Sequence, residues 1–277
     1  MKKRLHKADI PEGGDSPLNA AVARRDQSTM QMVEEAVKHN ECMLAFQPVV
    51  QSLPPQHVAF YEGFIRVLDA TKRVIPAREF MPFVEDREVG RELDCVALEH
   101  GLRALSKNDK IRLSINMSAR SIGYDRWGRV LQRFLKKDQS LGERLILELT
   151  EDSIMTMPEI VLDFMGRMQE HAIAFAIDDF GATNLGVRHF RDFFFDAVKI
   201  DGRYVRGIHA NYDQQALTRS LLAFAREMDM FTIAESVETP EDAAFLISAG
   251  VDCLQGFLFG APTVRPPWIE ADARKMA

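Results

Sequence analysis

Asp178-Asp179-Phe180-Gly181 closes an apolar run, Ala172 to Ile177, that has the composition of a buried strand. Two adjacent carboxylates in that place repel each other and lose hydration. A divalent cation removes both penalties, because hard cations take oxygen ligands. Other apolar runs close in the same way on one polar residue: Glu62, Asn116, Glu148, Lys199, Glu235 and Gln255. Each has a plainer reading alone. A lone Asp or Asn after a strand usually caps the next helix. Lys199 by itself reads as a surface lysine, and Glu148 or its neighbour Glu151 as a solvated face. Asp-Phe-Gly also marks the magnesium loop of kinases, but no His-Arg-Asp loop or Gly-rich loop accompanies it here. Recurrence on run after run is not what capping produces. Acidic and amide oxygens gathered from several strands make a site for hard divalent cations, and a shared carboxylate can bridge two of them.

The elements that must position these residues alternate in type. Strands are predicted at Met43 to Val50, Val58 to Tyr61, Ile111 to Ile115, Leu145 to Leu149, Ala172 to Asp178, Ala197 to Ile200, Phe231 to Glu235 and Val251 to Leu254. Helices are predicted at Met32 to His39, Leu93 to Leu105, Trp127 to Leu135, Pro158 to His171, Gln214 to Met228 and Pro240 to Ser248. Leu98, Leu102 and Leu105 share one helical stripe, and Leu217, Leu221 and Phe224 another. This alternation argues for an α/β fold with a mainly parallel sheet. A closed barrel and an open doubly wound sheet both fit. No GxGxxG follows an early strand, which weakens the dinucleotide-binding version. In a barrel the polar strand ends would converge on one rim, where active sites of that architecture lie.

Composition narrows the chemistry. The seven histidines are scattered, without HExxH or paired Cys/His spacing. That disfavours zinc, and carboxylate and amide ligands favour magnesium or manganese. Cys42, Cys95 and Cys253 are widely spaced and odd in number, which fits a reducing cytoplasm. No run of about 18 apolar residues suggests a membrane span. A net charge of −6 gives no long-range attraction for DNA or RNA, so a phosphate ligand would need metal to reverse the local field. Residues 1–30 are polar and broken by Pro11, Gly13, Gly14 and Pro17, and read as a flexible leader, ending in a short helix, to a domain over 31–277.

The motifs together resemble the EAL-domain cyclic di-GMP phosphodiesterase family. The matching stretches are Phe46-Gln47-Pro48, Glu62-Gly63-Phe64-Ile65-Arg66, Ser114-Ile115-Asn116-Met117-Ser118, Glu148-Leu149-Thr150-Glu151, Asp178-Asp179-Phe180-Gly181, Lys199-Ile200-Asp201, Ala234-Glu235-Ser236-Val237-Glu238 and Gln255-Gly256-Phe257. They stand in the family's order.

The resemblance implies a TIM-like (β/α)8 barrel whose first strand is antiparallel. It implies hydrolysis of cyclic di-GMP to linear pGpG with two magnesium or manganese ions. Glu62, Asn116, Glu148 and Asp178 would hold one ion, and Asp178 and Asp179 the second, with Glu235 as its partner or as a base. Lys199 would orient the attacking water. Gln47, Arg66 and Gln255 would touch or line the substrate site, and Glu151 and Glu238 would brace its loop. It further implies a homodimer, with input from an upstream sensor partner. Two departures stand out. The signature Glu-Ala-Leu is Glu62-Gly63-Phe64 here, which predicts an altered pocket wall. The loop Gly181 to Arg188 lacks the usual Gly-Thr-Gly-x-Ser-Ser pattern, which leaves a non-hydrolysing cyclic di-GMP receptor as the rival reading.

Overall fold

The computed structural model describes residues 17–53, 57–182 and 192–269, apart from the side chains of 17–21 and 23. The first part of the expected leader and most of the departing loop after Ala182 lie outside the described residues.

Helix α1 (Pro17–Lys38) leads into the hairpin β1 (Cys42–Gln51) and β2 (Val58–Leu68), which pairs with the short β3 (Val74–Pro76). There follow α2 (Met81–Val84), α3 (Glu88–Lys107), β4 (Leu113–Asn116), α4 (Asp125–Leu135), β5 (Leu145–Thr150), α5 (Glu151–Thr156), α6 (Pro158–Gln169) and β6 (Ala174–Phe180). The last elements are β7 (Ala197–Ile200), α7 (Gly202–Val205), α8 (Tyr212–Glu227), β8 (Phe231–Ala234), α9 (Pro240–Ala249) and β9 (Cys253–Gln255). The helix expected to begin at Met32 therefore starts within the predicted leader.

Strands β2, β4, β5, β6, β7, β8 and β9 pair in parallel order, and β1 closes the ring antiparallel to both β2 and β9. The result is a closed eight-stranded TIM-like barrel, with β3 added at its edge. The open-sheet alternative is excluded by the β1–β2 and β1–β9 pairings.

Leu98, Leu102 and Leu105 are fully buried on α3, as their spacing predicts, and pack with Leu113 and Ile115 of β4. Helix α8 is rotated from expectation. Its buried stripe is Thr218, Leu222 and Ala225, whereas Leu217 is 52% exposed. Both triplets have the same helical spacing, so periodicity alone does not choose between adjacent faces.

Strand β2 is much longer than the predicted Val58 to Tyr61. It is held on both edges, with Cys42 opposite Val67 on one side and Ile75 opposite Val67 on the other. Glu62 therefore sits inside the strand rather than at its end. The Glu62-to-Arg66 stretch reads as a break in apolar patterning because alternate residues face a polar interior.

Candidate active site at the carboxyl rim of the barrel

Parallel strands with their carboxyl ends together bring the predicted polar residues to one mouth. Asn116 ends β4 opposite Glu148 of β5, and Gln47 of β1 lies opposite Glu62 of β2. Lys199 lies in β7, Glu235 immediately follows β8, and Gln255 ends β9. The capping duties at these loops fall to other residues. Ser118, Thr150, Asp201 and Thr239 each accept a backbone N–H at the start of the following helical turn. The strand-end set is thus spared for another use.

Strand alternation would send consecutive side chains to opposite faces. A β-bulge prevents this at Asp178 and Asp179. Ile177 pairs with Val198 and Phe180 with Ile200, so two aspartates stand opposite the single Lys199. Asp179 takes the left-handed backbone, at φ 54°, that this needs. Oxygen atoms of Asp178, Asp179 and Glu235 then lie within 4.8 Å of one another.

Lys199 is 1% exposed, not a surface lysine. Its Nζ lies 2.9 Å from Glu62 Oε2, 2.8 Å from Glu148 Oε2, 3.2 Å from Asp178 Oδ1 and 2.7 Å from Glu235 Oε1. Burial alone would drive its proton off, but the carboxylates outweigh burial and raise its pKa well above the usual lysine value. Glu62 is pushed up by burial and pulled down further by the Lys199 charge and by hydrogen bonds from Gln255, Lys199 and Asn116, so it remains ionised. Glu148, pushed up by burial and by the Glu62 charge, reaches about 8. Asp179 rises to about 6 through burial and the Asp178 charge. Glu235 is raised well above the ordinary range, first by burial.

The amides complete the set. Asn116 Nδ2 donates to Glu62 Oε1 at 2.7 Å, and Gln255 Nε2 donates to Glu62 Oε2 at 2.7 Å. Gln47 Nε2 donates to the Gly260 carbonyl, and its Oε1 faces Gln255. Among the described residues, the buried acceptors Glu148 Oε1 and Gln255 Oε1 have no hydrogen-bond partner. One cation shared among this many carboxylates leaves net negative charge and orphaned oxygens. An oxygen-only donor set of this kind fits a hard divalent cation.

A cavity of about 990 Å³ opens above the cage, near the upper end of the range for ligand pockets. Gln47, Glu62, Arg66, Asn116, Glu148, Asp178, Asp179, Glu235, Glu238 and Gln255 line it. Lys199 and Glu151 do not. Lys199 lies beneath the carboxylates, and Glu151 is 2% exposed at the start of α5. Glu238 stands 3.6 Å from Arg206, which also bonds Ser236, the residue after Glu235.

The departing signature residues divide by strand alternation. Both border the cavity, Phe64 with its side chain on the face of β2 that it shares with Glu62. Gly63 points the other way in the alternation, where a Cβ would stand 2.8 Å from Ile115 Cδ1 and 3.3 Å from Leu44 Cδ1. The altered wall is therefore Phe64, while Gly63 answers to packing. Gly256, after Gln255, is required by close approach, because a Cβ there would meet the Val237 carbonyl at 2.0 Å.

Asp94 also belongs to the site, although no motif marks it in the sequence. It is 8% exposed on α3, accepts from Ser121 Oγ at 2.6 Å and the Ser118 N–H at 2.9 Å, and lines the cavity. Burial lifts its pKa to about 6. The available signal was an acidic residue between Leu93 and Cys95 in an otherwise apolar stretch.

Comparison with known proteins agrees with this geometry. The EAL domain family model matches residues 30–262. The chain is 27% identical over 237 residues to cyclic di-GMP phosphodiesterase PdeF of Escherichia coli, covering 84% of this chain and 31% of that protein. It thus spans about a third of the length of that relative. The EAL enzyme Bd1971, solved with cAMP and cyclic di-GMP bound, superposes with a TM-score of 0.79 at 24% identity, over 94% of this chain and 71% of the other. Klebsiella pneumoniae BlrP1, solved with calcium and cyclic di-GMP, gives a TM-score of 0.69 at 26% identity, over 80% and 56% of the two chains. With the barrel, the carboxylate cage and the matching motifs in place, the chain belongs to the EAL domain family.

Proposed function

We propose that this chain hydrolyses cyclic di-GMP to linear pGpG in a reaction that depends on divalent metal. The carrying observation is the gathering of Glu62, Asn116, Glu148, Asp178, Asp179 and Glu235 at the floor of one cavity. The names of PdeF and the BlrP1 complex support the substrate. Glu62, Asn116, Glu148 and Asp178 would hold one magnesium or manganese ion, and Asp178, Asp179 and Glu235 a second. Such a pair supplies neutralisation of the anionic phosphodiester and activation of water.

The protein's own groups do the rest. Lys199 holds the carboxylates at fixed spacing from below and adds positive charge beneath the site of the attacking water. Glu235 stands at the open edge, with its pKa raised first by burial, and is placed to exchange a proton with water. Gln47 and Gln255 orient Glu62 and border the ligand. Arg66 contributes positive charge on the far side of the same strand face. Glu238 and Glu151 brace the loops. The Asp94 carboxylate, partly open to the cavity, is an acceptor for a base edge with two N–H donors, as guanine has.

Three free, buried cysteines support a reducing, cytoplasmic setting. Among the described residues no helix is long and apolar enough to cross a membrane. Dimerisation and an upstream sensory partner belong to the same proposal, the latter supported by the greater length of PdeF.

The test is incubation of pure protein with cyclic di-GMP and Mg²⁺ or Mn²⁺, following pGpG. Turnover is expected with at least one metal, and Glu62→Ala should abolish it. Tight binding without turnover under either metal would overturn hydrolysis and leave a receptor.

A further inference from the structure

Four arginines line the cavity: Arg66, Arg78, Arg120 and Arg206. Two are already engaged. Arg120 bonds the Asp86 carbonyl at 2.9 Å and its carboxylate at 3.2 Å. Arg206 bonds Ser236 Oγ at 2.9 Å and faces Glu238. Arg66 and Arg78 have no ion-pair partner among the described residues. Arg66 is half-buried, its guanidinium lies 5.5 Å from the centre of the Phe64 ring, and one N–H bonds the Ile65 carbonyl at 2.9 Å. Its other donors remain unused.

Their placement is set by the backbone. Arg66 pairs with Pro76 across β2 and β3, and Arg78 follows two residues later in the 3-10 turn Ala77–Glu79. Glu62, Phe64 and Arg66 share one face of β2. At about 3.3 Å per residue, Arg66 stands roughly 13 Å along the strand from Glu62. The cavity is therefore bipolar, with a carboxylate cage at one end and two uncompensated guanidinium groups at the other. Burial and the neighbouring Arg78 charge both work against protonated Arg66, with Glu62 acting in the opposite sense. Two like charges side by side are unfavourable until an anion joins them. Guanidinium groups suit phosphate oxygens in particular.

We propose that Arg78 joins Arg66 in a dibasic subsite for a second phosphate, the one not undergoing hydrolysis, and so selects substrates with two phosphodiesters over those with one. This rests on the cyclic di-GMP reading above. A cyclic dinucleotide presents two phosphodiesters on one ring. The cage with its cations takes one, and the arginine pair takes the other. Arg78 acts on binding of the intact ring and not on the bond that breaks.

The test compares wild type, Arg78→Ala and Arg78→Lys on cyclic di-GMP and on bis(4-nitrophenyl) phosphate, which has a single phosphodiester. For Arg78→Ala, KM for cyclic di-GMP should rise about tenfold with kcat within about twofold, the size expected for one charged contact. KM for the single diester should not move. Arg78→Lys should recover only part of the loss, since it keeps the charge without the guanidinium fork, and the salt dependence of KM should become shallower in Arg78→Ala. An unchanged KM for cyclic di-GMP, or equal losses on both substrates, overturns the subsite. Equilibrium binding of cyclic di-GMP in Ca²⁺ separates the two claims. If wild type binds in Ca²⁺ but forms no pGpG with Mg²⁺ or Mn²⁺, and Arg78→Ala binds more weakly, the subsite stands and hydrolysis falls. Equal binding by both proteins overturns the subsite, and no binding by either overturns both claims.

Discussion

Lys199 Nζ lies 2.8 Å from Glu148 Oε2, and both side chains are withdrawn from water. Among the described residues the lysine is the one cation holding these carboxylates together from below, while the cavity side stays open to others.

Removing that charge should be severe. Lys199→Met leaves Glu62, Glu148, Asp178 and Glu235 facing one another, and breaking a buried ion cluster typically destabilises by about 3–5 kcal/mol. Thermal unfolding of the metal-free variant should show a large drop in Tm. Millimolar Mn²⁺ should restore more of it than it adds to wild type. A metal-free Tm equal to wild type would contradict the arrangement.

Metal affinity should rise with pH. Glu148, at about 8, and Asp179, at about 6, keep protons at pH values where ordinary carboxylates have lost them. A cation needs the deprotonated forms, so binding must displace those protons. Mn²⁺ titration calorimetry should give at least about tenfold tighter binding at pH 8 than at pH 6. Heats should depend on the buffer's ionisation enthalpy. A pH-independent affinity would sink this expectation.

Asp94 sets a separate stability slope. Its folded pKa of about 6 lies above the ordinary aspartate value, so the folded state holds the proton more tightly. The contribution is fully present below about pH 4 and is lost as pH rises through about 6. Wild type should lose about 2 kcal/mol across that window from this group, and Asp94→Asn should remove that slope. Urea unfolding at pH 4 and pH 7 measures it. Parallel pH profiles for the two proteins would refute the assignment.

Gly63 is a packing glycine, so its replacement should respond to Ile115. Gly63→Ala should destabilise by about 1–3 kcal/mol through overpacking against Ile115 Cδ1. Ile115→Val removes that atom, and the double variant should be more stable than additivity allows, by at least about 0.5 kcal/mol. Mn²⁺ affinity should not change, because this face of β2 is turned away from the cage. Strict additivity would show that the contact does not limit position 63.

The chain alone determined the alternation of strand and helix, the buried stripe of α3 and the identity of nearly every polar residue at the rim, because burial imposes periodicities of 2 and 3.6 that survive in sequence. The EAL resemblance rested on these same residues, and the family match and barrel agree with it. Tertiary structure decided what periodicity cannot express. It placed Glu62 inside β2 because that strand is paired along both edges. It chose Thr218, Leu222 and Ala225 as the inner face of α8, since neighbouring stripes have equal spacing. It aimed Asp178 and Asp179 at one mouth through a bulge opposite Lys199, where simple alternation would have parted them. Asp94 and Arg78 joined the cavity only through folding. A lone charge in a helix or turn has no local pattern, and its meaning depends on which distant wall it faces.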